Sequence, residues 1–178
     1  SGMVSFSLIQ MTHVRYPMKL AFIGTGNMGR AILEGVIRRQ VARPDEIYLF
    51  DTDFSKSSEL AARTGATASD TAVNAVKDAD VVILATKPDA CAKALRPLQS
   101  VFQEHQVLIS IAAGITLSNL RHLAGSAPRL VRAMPNTPAL VGCGATALAP
   151  EGPENVVKEI AEAIFSGLGD VHFIPEKL

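Results

Sequence analysis

The stretch AFIGTGNMGRAI, residues 21–32, runs from an apolar segment through three glycines into a segment with helical periodicity. Gly24, Gly26 and Gly29 form the pattern G-x-G-x-x-G between the two segments. In such a turn the first glycine permits a tight bend, the second lets the backbone approach a pyrophosphate, and the third allows close helix–strand packing. The start of the helix then offers unpaired N–H groups to the phosphates. The stretch therefore predicts a dinucleotide-binding turn, and the alternative is a tight glycine turn without a ligand.

Apolar and amphipathic segments alternate along most of the chain. VVILAT at residues 81–86 is aliphatic and β-branched without polar alternation, which is typical of a strand buried on both faces of a parallel sheet. The pattern predicts strands at 19–23, 47–50, 81–86, 107–111, 129–133, 142–149 and 170–174, and helices at 27–39, 55–64, 71–77, 90–101, 117–123 and 154–167. Pro97 is expected to kink or split the fourth of these helices. This alternation predicts an α/β fold with a doubly wound, mainly parallel sheet of the Rossmann type.

The composition indicates an ordinary globular chain without a strong electrostatic preference. The 178 residues include 17 basic and 17 acidic side chains, and 48% of all residues are hydrophobic. A formal net charge of zero gives no attraction to nucleic acid or to anionic lipid, and no apolar run reaches the ~18 residues of a membrane span. Cys91 and Cys143 are too few for a disulfide framework and lack metal-ligand neighbours. We expect no metal, nucleic-acid or membrane partner, and a cytoplasmic location.

Asp51 follows the second predicted strand, at the position that meets the adenosine ribose in dinucleotide-binding folds. A carboxylate there accepts hydrogen bonds from the ribose hydroxyls and repels a 2′-phosphate, which favours NAD over NADP. Ser55 and Lys56 lie close enough to soften that preference, so both NAD(H) and NADP(H) stay open as cofactors. The alternative is that Asp51 only caps the following loop.

Three further loops follow predicted strands. They should gather at one edge of the sheet, since ligands of doubly wound sheets bind outside the carboxyl ends of the strands. Pro88 favours an extended conformation at Lys87, which would hold the loop over the cofactor. Small residues at 112–114 would let a flat ring approach the backbone, and two prolines stiffen the loop 134–140. The structural alternatives are a solvated lysine, tight packing and a plain turn.

Four segments, FIGTGNMGRAI, ATKP, SIAAGITL and RAMPNTPALVGCGATAL, resemble pyrroline-5-carboxylate reductase in order and spacing. RAMPNTPA is fairly specific to that family, whereas the glycine pattern is shared with hydroxyacid dehydrogenases and many others. The resemblance runs from Met18 to about Leu178, so we interpret residues 1–17 as a cloning scar with an N-terminal extension and 18–178 as a dinucleotide-binding domain. It implies NAD(P)H-dependent reduction of the cyclic imine 1-pyrroline-5-carboxylate to L-proline.

The resemblance also implies partners and site residues. In the family, a helical domain that completes the substrate pocket and builds the dimer follows this point. We therefore expect this chain to be the cofactor-binding part of a homodimer or higher homo-oligomer, with little activity alone. The implied cofactor residues are Ile23, Gly24, Thr25, Gly26, Asn27, Met28, Gly29, Asp51, Ala85, Thr86, Lys87, Pro88, Ala112, Ala113 and Gly114. Met134, Pro135 and Asn136 are implied on the substrate side, with no certain catalytic residue.

Two positions depart from the family pattern. Thr86 replaces a usual valine, and Asp51 stands where the family commonly has a Ser, Asn or Thr-like residue and often uses NADPH. Two other functions stay open. One is a non-catalytic nucleotide-binding relative that acts through a partner, and the other is a β-hydroxyacid dehydrogenase-like enzyme.

Overall fold

The computed structural model describes residues 18–136, 138 and 142–177. In this part of the chain, eight strands form one sheet: β1 (Leu20–Ile23), β2 (Ile47–Phe50), β3 (Thr67–Ala68), β4 (Val81–Leu84), β5 (Val107–Ser110), β6 (Arg129–Pro135), β7 (Gly144–Pro150) and β8 (Gly169–Phe173). The helices are α1 (Asn27–Arg38), α2 (Phe54–Thr64), α3 (Ala72–Val76), α4 (Cys91–Leu95), α5 (Leu117–Ala124) and α6 (Asn155–Phe165).

The sheet has the order β3-β2-β1-β4-β5-β6-β7-β8. All neighbouring strands are parallel except β6 and β7, which run antiparallel with Met134 opposite Ala147. The strand order reverses between β1 and β4, and this reversal is the place where doubly wound sheets form a crevice for ligands. The predicted fold class is therefore confirmed.

Helices cover both faces of the sheet. Ile32 of α1 and Ile164 of α6 pack in the core on one face, and Leu95 of α4 and Leu120 of α5 pack in the core on the other. The central strands β1, β4 and β5 are buried at every position. Burial on both faces explains why these strands are aliphatic throughout rather than alternating between apolar and polar residues.

Some element bounds differ from the sequence-based expectation. The helix expected at 90–101 is broken into 3₁₀ turns at Pro88–Ala90 and Arg96–Leu98 around the five-residue α4. Pro97 explains the second break, because proline has no N–H to donate within a helix. The two-residue strand β3 was not predicted, since it is too short to show any periodicity. Strand β6 continues two residues past its expected end at Ala133 because Met134 and Pro135 pair with β7.

Part of what the sequence predicted lies outside the described residues, namely the extension at 1–17, positions 137, 139 and 140 of the proline-rich loop, and positions 141 and 178 of the predicted domain. No helix among the described residues is long and apolar enough to cross a membrane. Within the same residues, no three His, Cys, Asp or Glu side chains lie close enough together to hold a metal ion.

Candidate functional site

The loops that follow β1, β4, β5 and β6 meet at one edge of the sheet. These four strands are adjacent and parallel, so their carboxyl ends point in the same direction. The end of β2 lies on the other side of β1 and completes the edge. The structure thus brings together the glycine turn, Asp51 and the three predicted loops, although they are up to 112 residues apart between Gly24 and Asn136.

The three glycines of the turn have three different surroundings. Gly24 has a φ of +98°, and a Cβ there would lie 2.7 Å from the carbonyl oxygen of Ala85. A Cβ on Gly29 would lie 3.1 Å from the carbonyl oxygen of Gly24 and 3.2 Å from the Cβ of Ala85, so the glycine lets α1 pack closely against the residues that follow β1 and β4. A Cβ on Gly26 would meet nothing within 4 Å, and this residue is exposed. The first and third glycines therefore serve packing, while the second leaves open space at the surface.

The start of α1 is open to an anion. Gly26 is the N-cap residue and offers no side chain to cap the first N–H groups, and the first turn contains no acidic residue. The N–H of Arg30 donates to the carbonyl of Gly26, so the unpaired donors are those of the residues before it. Asn27 is exposed, whereas Met28 packs against the core beneath the helix. Free N–H groups and the helix dipole together favour a phosphate at this point.

Asp51 is bonded to the glycine turn itself. Its Oδ2 accepts hydrogen bonds from the backbone N–H and the hydroxyl of Thr25, at 3.0 and 2.7 Å. Its Oδ1 accepts from the N–H of Asp53 at 2.9 Å. Thr25 is 5% exposed, so this contact fixes the carboxylate from the buried side. The sequence predicts that Asp51 follows β2 at the edge of the sheet, and the structure places it there. Its hydrogen bonds with Thr25 could not be predicted from the sequence.

The loop after β4 lies against the turn. Ala85 donates its N–H to the carbonyl of Ile23 at 2.8 Å, and Lys87 has the extended conformation that Pro88 predicts, with φ −62° and ψ 151°. The hydroxyl of Thr86 lies 3.3 Å from the sulfur of Cys91, which is buried. Burial raises the pKa of the Cys91 thiol, so the thiol stays neutral and serves packing. The Lys87 side chain itself is exposed.

The loop after β5 leaves open space at the edge. Ala112 is buried and its N–H donates to the hydroxyl of Ser110 at 3.2 Å. Ala113 and Gly114 are exposed, and a Cβ on Gly114 would meet nothing within 4 Å. A flat ring can therefore reach the backbone of this loop without a side chain in between.

The loop after β6 begins in a fixed position. Met134 and Pro135 are half-buried members of β6. The side-chain oxygen of Asn136 accepts from the N–H of Ala145 at 3.0 Å, and the N–H of Asn136 donates to the carbonyl of Ala145 at 3.2 Å. The Asn136 side chain thus holds this loop against β7 through its oxygen, which leaves its amide N–H groups for other contacts.

One group at this edge was not found from the sequence. The Oε1 of Glu176 accepts from the backbone N–H of Leu117, at the start of α5, at 2.7 Å. The same oxygen accepts from Arg132 of β6 at 3.1 Å. The segment after β8 is therefore fastened beside the loop that contains Ala113. No local pattern signals such a contact, because Arg132 and Glu176 are 44 residues apart.

Comparison with known proteins agrees with this arrangement. The model of the family described as "NADP oxidoreductase coenzyme F420-dependent" matches residues 19–114. The pyrroline-5-carboxylate reductase of Escherichia coli strain K12 is 35% identical over 163 residues, which are 90% of this chain and 60% of that protein. The chain therefore spans about 60% of the length of this relative. The predicted resemblance to pyrroline-5-carboxylate reductases is confirmed.

Solved structures show the same fold. A pyrroline-5-carboxylate reductase from Coxiella burnetii is 32% identical and superposes with a TM-score of 0.85, over 90% of this chain and 60% of that one. The pyrroline carboxylate reductase of Plasmodium falciparum, solved with NADP bound, is 26% identical with a TM-score of 0.78, over 90% of this chain and 58% of that one.

Proposed function

Because the chain belongs to the family of coenzyme F420-dependent NADP oxidoreductases, we propose that it binds a nicotinamide dinucleotide, NADPH or NADH, along the carboxyl edge of its sheet. We propose further that it is the cofactor-binding part of an enzyme that reduces 1-pyrroline-5-carboxylate to L-proline. The observation that carries the proposal is the uncapped start of α1 beneath the open surface at Gly26. A pyrophosphate fits there, and the loops after β4, β5 and β6 continue the edge from that point.

Each part of the edge has a role in this proposal. The N–H groups at the start of α1 bind the pyrophosphate, and Asp51 lies beside the adenosine ribose. The backbone at Ala113 and Gly114 supports the nicotinamide ring, since no side chain covers it. Asn136 is held by Ala145 through its side-chain oxygen, and in this proposal its amide N–H groups bind on the substrate side. The carboxylate of the imine substrate is the group that such donors would orient.

The proposed reaction needs little acid–base catalysis by residues of this chain. When bound, the reduced nicotinamide supplies the hydride that adds to the imine carbon. A protonated imine is already electrophilic, so the residues at the edge act by orientation and by the placement of hydrogen-bond donors. This explains how the reaction can proceed although the sequence shows no certain catalytic acid. The proposal also includes the homo-oligomer that the resemblance implies and the cytoplasmic location expected from the sequence.

Two measurements test the proposal. Titration of the chain with NADPH and with NADH, followed by nicotinamide fluorescence, should show saturable binding. The complete gene product that contains this chain should oxidise the reduced cofactor when 1-pyrroline-5-carboxylate is added, and should restore growth of a proline auxotroph. Failure to bind either dinucleotide would contradict the whole proposal. Binding without turnover would favour a non-catalytic relative, and turnover of a β-hydroxyacid with no turnover of the imine would favour a hydroxyacid dehydrogenase.

A further inference from the structure

Two carboxylates stand at the end of β2, and each is fixed by donors from its surroundings. Asp51 accepts from Thr25 through both the backbone N–H and the hydroxyl, at 3.0 and 2.7 Å. Asp53 accepts from the backbone N–H and the hydroxyl of Ser55, the former at 3.1 Å. The backbone N–H of Asp53 also donates a hydrogen bond to Oδ1 of Asp51, at 2.9 Å. The two aspartates thus belong to one short turn, in which the backbone of Asp53 binds the carboxylate of Asp51.

These contacts use up the groups that would otherwise bind a phosphate. Hydroxyls and backbone N–H groups at the end of β2 are natural donors to a phosphate on the adenosine ribose. Here those of Thr25 and Ser55 point at carboxylates instead. No ion pair formed by the described residues includes Asp51 or Asp53. Lys56 is the nearby cation, and its charge contributes to the lowered pKa of Asp53 without forming an ion pair with it. A dianionic 2′-phosphate beside Asp51 would meet a carboxylate and few free donors.

The ribose of NAD has the opposite requirement. Its 2′- and 3′-hydroxyls are donors that need an acceptor, and a carboxylate at the end of β2 supplies one. With Oδ2 of Asp51 occupied by Thr25, Oδ1 is the oxygen that retains capacity to accept, because it receives one bond, from Asp53. Thr25 therefore decides which oxygen faces outward and prevents the carboxylate from rotating away.

We propose that this chain selects NAD(H) over NADP(H), and that Thr25 is the positioning residue that sets the preference by holding Asp51. The inference rests on the proposed function, since it concerns the same dinucleotide site. The preferred cofactor would then differ from the NADP that the name of the matching family contains. The inference also gives Thr25, a residue inside the glycine turn, a role other than packing. The hydroxyl, rather than the size, of residue 25 carries the effect.

The test compares the dissociation constants of NADH and NADPH for the chain and its variants. The unchanged chain should bind NADH at least about tenfold more tightly than NADPH. Thr25→Val keeps the shape of the side chain and removes the donor, and should reduce this ratio by about threefold or more. Thr25→Ser restores the hydroxyl and should restore the ratio. Asp51→Asn keeps an acceptor for Thr25 without the charge, and should bring the ratio close to one.

Thr64→Val is the matched control, because Thr64 also donates its hydroxyl to a carbonyl, that of Leu60 at 2.7 Å, but at the far end of α2. It should leave the ratio unchanged, and the melting temperature of each variant reports on folding. Equal or tighter binding of NADPH by the unchanged chain would overturn the inference and leave the proposed function standing. An unchanged ratio in Thr25→Val would overturn the role of Thr25. Binding of neither dinucleotide would overturn both proposals.

Discussion

Alanine at Gly26 and alanine at Gly24 should have opposite consequences, although the two glycines are one residue apart. Gly26 has φ −72° and ψ −174°, a conformation open to any residue, and its Cβ would enter empty space. Gly24 has φ +98°, and its Cβ would collide with the backbone of Ala85 at 2.7 Å and approach that of Thr86 at 3.0 Å. We expect Gly26→Ala to lose cofactor binding with an intact fold, and Gly24→Ala to lose stability.

The size of each effect follows from these surroundings. At Gly26, exchanging one weak N-cap residue for another should cost no more than about 1 kcal/mol of unfolding free energy. The new methyl group would stand where the pyrophosphate must approach, so two charge-assisted hydrogen bonds are lost, at about 1.5–3 kcal/mol each. That weakens the dissociation constant by roughly 100-fold or more. At Gly24, the strained φ costs about 1–3 kcal/mol and the backbone collision about as much again.

Thermal unfolding and nicotinamide fluorescence together separate the two outcomes. For a chain of this size, about 1 kcal/mol shifts the melting temperature by roughly 2–4 °C. Gly24→Ala should therefore melt at least about 5 °C lower than the unchanged chain, whereas Gly26→Ala should melt within about 4 °C of it. Full-strength binding of NADH and NADPH by a stable Gly26→Ala chain would refute the placement of the pyrophosphate at the start of α1.

Gln106→Leu should lower the free energy of unfolding in urea by about 3–5 kcal/mol, because the buried amide bonds two carbonyls and one N–H. Gln99→Leu removes similar contacts at an exposed site and should cost less than about 1 kcal/mol; equal losses would contradict this. The hydrogen bond from the Ser55 side chain lowers the pKa of Asp53, so the charged carboxylate stabilises the fold. In acid-unfolding curves, the unchanged chain should be more stable than Asp53→Asn. This difference should be complete above the ordinary aspartate pKa of 3.8 and disappear as the pH falls through the lowered pKa of Asp53. Iodoacetamide at about pH 8 should label the exposed Cys143 and spare Cys91, whose thiol pKa is raised by burial, as peptide masses would show.

The features that could be predicted from the sequence depend on residues close together in the chain. The packing roles of Gly24 and Gly29 follow from a strand that turns directly into a helix, and the structure places a neighbouring backbone or side chain where each predicts it. The extended conformation of Lys87 follows from the proline after it. The buried strands were recognisable because burial on both faces leaves an uninterrupted aliphatic run.

The contacts that could not be predicted join segments that only the folded sheet brings together. Thr25 and Asp51 are 26 residues apart, and Leu117 and Glu176 are 59 residues apart. Such partners depend on strand order, register and the path of the chain after β8, none of which leaves a periodic signal. The sequence predicts that Asp51 follows β2 at the edge of the sheet, but whether its oxygens face a cofactor or another residue depends on the donors around it.

The backbone fixes the candidate site before any ligand binds. The first residue after β1, β4 and β5, which is Gly24, Ala85 and Ile111 respectively, donates its N–H to the last carbonyl of a neighbouring strand, at 2.8, 2.8 and 3.1 Å. Each loop therefore begins as a continuation of the sheet ladder. A surface that is already ordered loses little conformational freedom on binding, so more of the contact energy is available as affinity.

The two ends of this edge are nevertheless fixed in different ways. At the end proposed to bind adenosine, Thr25 and Asp51 follow the adjacent strands β1 and β2, so their contact depends on that one strand pair. At the end proposed to face the nicotinamide, the start of α5 is held by Glu176, whose position depends on the pairing of β8 with β7. In the proposed site, dinucleotide choice thus depends on a contact between the ends of two neighbouring strands, while the geometry of the reacting end depends on the last part of the described chain. Changes in the segment after β8 can therefore alter that end without changing which dinucleotide binds.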